Sequence, residues 1–292
     1  LQVPYLVKIN LLPRWEINWR GAGVNRVLKL MAPALFGVSV AQISLLMDNL
    51  FASFLPQGSL SWLYYSDRLT YLPLGVIGVA LSTVVLPDLA RQDYNDVKSY
   101  SKVLDWALRT LLWVGLPAAL ALILLAGPIM ATLFMHGHFD FHDMLMSRRS
   151  LWAFASGLPA FMMIKILASA FYSRQNIKTP VKVAAIALLF NFMGNLLLIR
   201  ALAHAGLALS SAIAAYINAG CLLVLLVRKG MYCPEPGWRQ YLFCLFFASI
   251  VMIALIYACS PPLAIWINAS LWYRVEHLAG IVLVGVFAYS AS

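Results

Sequence analysis

Charge is what this sequence has least of. Asp, Glu, Lys and Arg make up 11% of its 292 residues, less than half of the ~25% usual in soluble domains. A soluble chain of this length needs a charged skin around its core, and there are too few charges here to make one. Cysteine is scarce too. Cys221, Cys233, Cys244 and Cys259 form no C-x-x-C pair and no Cys/His ligand spacing, and three of them fall in apolar segments. They read as unpaired thiols behaving as small apolar residues, which sets aside a disulfide framework or a zinc site. No G-x-S-x-G, P-loop, H-E-x-x-H or dinucleotide fingerprint occurs, so no motif supports an enzyme. No basic n-region or small-residue cleavage site follows Leu1, so no signal peptide is legible. The chain opens without Met and stops in an apolar run at Ser292, and it reads as a piece of a longer protein.

What the sequence does have is apolar surface: 62% of the residues are hydrophobic and the mean hydropathy is +0.82. A bilayer core asks for about 20 mainly apolar residues per helix. Such stretches lie near 27–54, 59–89, 103–126, 150–172, 180–200, 206–227, 240–259 and 272–290, which predicts an all-α bundle with about eight membrane spans. Pro33, Pro73, Pro117 and Pro159 fall inside them, where membrane helices tolerate proline better than soluble ones.

Basic residues test this map. With residues 1–26 placed in the cytoplasm and the crossings alternating, fifteen of the 21 Lys and Arg fall on the cytoplasmic side. Only Arg148, Arg149, Arg200 and Arg274 fall outside, with Arg68 and Lys165 left within spans. That is the asymmetry of the positive-inside rule. The net charge of +10 therefore suits loops facing an anionic leaflet. It needs no nucleic acid, because the basic residues are dispersed over short loops and make no single patch. The opening LVKINLLPRWEINWR is too polar to span and reads as an interfacial connector along the cytoplasmic surface.

Ionisable residues within spans usually face a cavity or a partner; here they are Asp48, Asp67, Arg68 and Lys165. Helical spacing puts Tyr64, Tyr71, Gly75 and Ser82 on the face of Arg68. An arginine among tyrosines and glycines suits an aqueous cavity that receives an anion, since its planar fork matches phosphate oxygens. Snorkelling of Arg68 to the outer interface beside Asp67 fits equally well, because a helix over 59–89 would be roughly 45 Å long. The first span is polar on two faces: Ser39, Gln42, Asn49 and Ser53 on one, Gly37, Ala41, Ser44 and Asp48 on the other. One face would line the cavity and the other would pack within the bundle. Asp48 needs a partner, and Asn191, Asn195, Ser210 and Ser211 supply hard oxygens suited to Na⁺ or a proton relay. The same groups also suit plain interhelical hydrogen bonding. Lys165 shares a face with Ser169 and Tyr172 near the cytoplasmic end, where snorkelling competes with a transport role. The outer loop HGHFDFHD (136–143) matches no established metal-ligand spacing and reads as a solvated loop.

Several segments together resemble the MurJ (MviN) family of lipid II flippases, within the superfamily that also holds multidrug and oligosaccharide-lipid exporters. They are PALFGVSVAQISLLMDNLFASFL (33–55), GSLSWLYYSDRLTYLPLGVIGVALSTVVLPDLA (58–90), FYSRQNIKTPVK (171–182), HAGLALS (204–210) and PEPGW (234–238). The YYSDRL and FYSRQNIKTP blocks are the most specific. The resemblance implies fourteen helices: two six-helix lobes and two further helices. This chain would hold a connector (1–26), the second lobe (27–228) and the last two helices (229–292), with the first lobe of the same protein outside it.

It further implies a multi-pass protein of a bacterial cytoplasmic (inner) membrane, serving peptidoglycan and cell-wall biogenesis. Its substrate would be lipid II, the undecaprenyl-pyrophosphate-linked disaccharide peptide, moved to the outer leaflet by alternating access without a cofactor. The family's Asp-Arg pair falls on Asp67 and Arg68, which favours cavity lining for Arg68 beside Tyr64 and Tyr71. Some members carry a glutamate where this sequence has Tyr71, so no role attaches to an acid there. Ion coupling suits the cluster Asp48, Asn191, Asn195 and Ser211, by Na⁺ or protons. Lys165 and Arg174 are further candidates at the cytoplasmic end. The alternatives are another exporter of the superfamily and a membrane scaffold that transports nothing.

Overall fold

The computed structural model describes residues 37, 39, 40, 42–93 and 96–291, and among them the regular structure is entirely helical. In order these are α1 (42–53), α2 (Ser59–Pro73), a π-helical stretch Leu74–Val79, α3 (Ala80–Arg91), α4 (Val97–Leu124), α5 (Ala126–Leu133) and α6 (Phe141–Ser173). Next come α7 (Lys178–Leu202), α8 (His204–Arg228), α9 (Trp238–Cys259), α10 (Leu263–Asn268) and α11 (Leu271–Ala291). Helices prevail because hydrocarbon offers no partner to a backbone N–H or C=O, and a helix satisfies its own.

Seven helical rods among the described residues are long and apolar enough to cross a bilayer, the first of them Ser59–Arg91. The eighth predicted span, near 27–54, lies partly outside the described residues, and its described part 42–53 is helical. The connector 1–26 and Pro33 lie outside them altogether. The rods overrun the predicted spans: Ser59–Arg91 and α6 have 33 residues each, roughly 50 Å against a ~30 Å core. Helix α4 runs unbroken through Pro117 and α6 through Pro159, whereas Pro73 directly precedes the π-helical stretch.

Cap chemistry sets several ends. Asp96 accepts from the Ser99 N–H at 3.0 Å to open α4. Asp140 and Asp143 form a reciprocal capping box at α6, so the carboxylates of the histidine-bearing outer loop are spent on a helix end. Gly237 of PEPGW adopts φ +96° where the chain turns into α9, a conformation that costs glycine nothing.

Helix α6 is the axis of the bundle, packed against α2, α3, α4, α5 and α8. Its Leu158, Met162, Ile166 and Leu167 meet Leu104, Leu108 and Leu111 of α4, Val85 and Leu89 of α3, and Leu222 and Leu226 of α8. Lipid tails are as apolar as these side chains, so close packing has to supply the attraction. Small residues allow it: a Cβ on Gly157 would come within 2.7 Å of Ala212, and one on Gly194 would strike Ser210 Oγ.

Helices α9 and α11 pack on each other and on α4, where Leu245, Met252, Ile256 and Ile281 meet Leu116, Leu120 and Leu124. Two polar staples fix them. In the first, the buried Asp105 of α4 accepts Tyr232 Oη at 2.7 Å and Trp238 Nε1 at 2.6 Å, and pairs with Arg109 at 2.8 Å. Burial and this carboxylate push the Tyr232 hydroxyl pKa up, so Tyr232 stays a donor. In the second, Arg274 (8% exposed) donates to Ala131 O, Ile267 O and Ala269 O. These carbonyls sit at the C-terminal ends of α5 and α10, where partial negative charge collects.

Candidate functional site

A cavity of about 900 Å³ lies between α1, α2, α6, α7 and α8. Two polar groupings face it.

The first is a closed ring. Asn195 Nδ2 donates to Asp48 Oδ1 at 2.7 Å and to Asn191 Oδ1 at 2.8 Å. Asn191 Nδ2 donates to Ser211 Oγ at 2.9 Å, and Ser211 Oγ closes the ring on Asp48 Oδ2 at 3.3 Å. Three helices meet here. Asn191 and Asn195 share a face of α7 because they are four residues apart, and Gly194 lets α8 approach until Ser210 Oγ reaches Asn191 O at 2.7 Å. Asn195 is fully buried, yet its Oδ1 has no hydrogen-bond partner. A buried amide oxygen without a donor is rare and costly. Beside a carboxylate that no Lys or Arg approaches within 4 Å among the described residues, it makes a set of hard oxygens lacking a positive charge. A ring of this chemistry can hold a small cation, and its hydrogen bonds also join three helices.

The second grouping lies on α2. Tyr64, Asp67, Arg68 and Tyr71 all line the cavity. Arg68 Cζ sits 4.8 Å over the Tyr64 ring, and no carboxylate lies within 4 Å of it among the described residues. Neighbouring Asp67 forms no ion pair with it. Arg68 is exposed, and Tyr64 and Tyr71 are 53% and 52% exposed. The guanidinium thus lies on an aromatic shelf, with no hydrogen-bond acceptor among the described residues. The outer half of α2 is pinned by Trp62 Nε1 donating to Asp143 at 2.8 Å and Ser66 Oγ donating to Ser147 O at 2.7 Å.

A sequence profile described as "Lipid II flippase MurJ" matches residues 1–282. The chain belongs to this family. It is 41% identical to the probable lipid II flippase MurJ of Haemophilus influenzae, over all of this chain and 58% of that protein. It is also 41% identical to the lipid II flippase MurJ of Burkholderia cenocepacia, over 89% of this chain and 51% of the relative. The chain thus spans little more than half the length of these relatives. A solved lipid II flippase MurJ in an inward closed conformation superposes with a TM-score of 0.76 over 99% of this chain and 58% of its own, at 25% identity. An outward-facing multidrug transporter of the MOP superfamily superposes at 0.59 with 13% identity, a likeness of fold alone. Family and fold together describe a multi-pass helical membrane segment of the MurJ family.

Several expected site residues stand elsewhere. On α1 Ser44, Asp48 and the expected Asn49 line the cavity, with Gly37 and Val40 ahead of it in the chain. Ser39 and Gln42 are exposed and do not line it, because the hydrogen bonds to Asp48 turn that side of α1 towards α7 and α8. Gly75 and Ser82 do not line the cavity either. Lys165 is exposed and off the cavity. Arg174 donates to Gln92 O at 3.4 Å and Asp93 O at 3.1 Å and lies over the Tyr100 ring, fastening the loop before α4.

Asn218 was missed. It lines the cavity, and its buried Oδ1 has no partner among the described residues. Seven residues separate it from Ser211, two turns on one face, and that spacing was the available signal.

Proposed function

We propose that this chain is the second half of a lipid II flippase of a bacterial cytoplasmic membrane. In this reading residues 1–26 form a cytoplasmic connector, 27–228 a six-helix lobe and 229–292 an additional helix pair. A first lobe, of the length the relatives carry beyond this chain, closes the cavity from the other side. The observation that carries the reading is the sharing of one cavity by the Arg68 guanidinium and the cation-deficient ring around Asp48. A pyrophosphate headgroup cannot cross hydrocarbon alone; Arg68 receives its charge while the tail stays in lipid. Binding a cation at Asp48 alters the charge of the same cavity, and that gives ion binding a hold on the conformation.

No covalent step is involved, and the cavity supplies solvation and alternating access only. Membership of a family described as lipid II flippases supports the substrate, and the excess of basic residues in alternate loops supports the orientation.

The test is complementation of a cell depleted of its flippase, using a full-length protein that carries this segment. Rescue by the wild type and failure of a normally expressed Arg68→Ala variant are expected. Rescue by both removes Arg68 from the path. Failure of a well-expressed wild type favours another exporter of the superfamily.

A further inference from the structure

Outer-side arginines are few in this protein, and Arg274 has its three carbonyls. Arg148 has nothing comparable. A guanidinium offers five N–H donors, yet none from Arg148 finds an acceptor among the described residues, and its Nε is buried without a partner. No carboxylate lies within 4 Å of it there. The outer acids Asp140 and Asp143 are occupied in the capping box. Neighbouring Arg149 adds more positive charge.

The side chain is nevertheless held in place. Its Cζ lies 4.8 Å over the Trp152 ring, and that ring is fixed by Nε1 donating to Ile123 O at 2.8 Å. A Cβ on Gly127 would stand 3.5 Å from Arg148 Cδ and 3.0 Å from Leu263 Cδ1. Arg148 therefore caps the outer end of the seam between the lobe and the α10–α11 segment, and Leu263 packs on the apolar clusters of both sides. With α6 centred in a bilayer, Arg148 lies ~10 Å below its outer end, at the headgroup boundary, and Trp152 one turn deeper.

We propose that Arg148, backed by Trp152, is a binding site for the phosphate of a lipid in the outer leaflet, with an acyl or prenyl chain along the seam. A phosphate supplies the acceptors that the fork lacks in bidentate geometry. The phosphate has two available sources, a bulk anionic phospholipid or a prenyl pyrophosphate arriving in that leaflet. Only the second depends on the flippase reading.

Native mass spectrometry of the purified chain tests this with three probes: dioleoylphosphatidylglycerol, farnesyl pyrophosphate and the phosphate-free dioleoylglycerol. Arg148→Gln keeps the stem over Trp152 and removes the charge. It is expected to weaken at least one phosphate probe about tenfold and to leave dioleoylglycerol unchanged, while Arg149→Gln changes either phosphate probe less than twofold. Loss of phosphatidylglycerol alone assigns the site to bulk lipid. Loss of the pyrophosphate, alone or with it, opens the site to substrate. Undiminished binding of both phosphate probes overturns the proposal. So does equal loss of all three lipids, or an Arg149→Gln effect as large as that of Arg148→Gln.

Discussion

Replacing Asp48 by asparagine separates a cation site from interhelical glue. The substitution preserves shape: Oδ1 still accepts from Asn195 Nδ2, and the new N–H₂ faces Ser211 Oγ, which stands 3.3 Å from the carboxylate now. What disappears is a negative charge enclosed by protein with only two donors. Burying a charge costs several kcal/mol that imperfect pairing does not return, so without Na⁺ the variant is expected to be more stable than wild type by ~1 kcal/mol or more. A cation that binds only the folded protein stabilises it by RT ln(1 + [L]/Kd), about 2.7 kcal/mol at a hundredfold excess over Kd. Saturating Na⁺ therefore reverses the order of the two proteins. The assay is the unfolding midpoint in detergent, with NaCl against choline chloride at equal ionic strength. An equal Na⁺ response in wild type and Asp48→Asn refutes the cation site. A loss of ~3 kcal/mol in the variant without Na⁺ identifies the carboxylate as structural glue, since that is the scale for breaking a needed buried pair.

Asp105→Ala strips the acceptor from Tyr232, Trp238 and Arg109, and a destabilisation of ~3–5 kcal/mol is expected. Limited proteolysis should then cut the 229–237 segment, and a midpoint within error of wild type would show that the staple carries no stability. Gly194→Ala drives a methyl into Ser210 and is expected to cost ~1–3 kcal/mol, whereas Gly220→Ala, with open space around it, is neutral or mildly stabilising; equal midpoints would contradict the close approach of α7 and α8. The hydrogen bond from Ser99 holds the Asp96 carboxyl below its ordinary pKa, so its contribution is complete above the unfolded value of about 3.9 and fades as pH falls through the lower folded value. The midpoint gap between wild type and Asp96→Asn is expected at pH 6 and should close in acid; a gap that widens in acid gives the sign the other way.

Much of this was legible because it is local. Apolar runs of about 20 residues and the alternation of basic loops follow from lipid acting as solvent. They placed seven rods in order, with a part-described eighth ahead of them. Asn191 and Asn195 were paired by helical spacing, and Asp48 drew attention as a charge in an apolar run. The spans came out short because the sequence shows where lipid ends, not where a helix does: α4 and α6 continue on polar caps at Asp96 and Asp140. The loop carbonyls that Arg174 meets, of Gln92 and Asp93, carry no sequence signal.

The sequence by itself determined the solvent, the helices and the rough supply of polar groups. The tertiary structure alone decided which of them meet. Two polar faces on α1 looked equivalent until Asp48 reached Asn195, 147 residues away in the chain. Helical spacing put Arg68, Gly75 and Ser82 on one stripe, and of the three only Arg68 lines the cavity. Periodicity assigns a residue to a face, but what that face confronts depends on the packing of distant helices, and packing is set by shape and hydrogen bonds that no local pattern encodes.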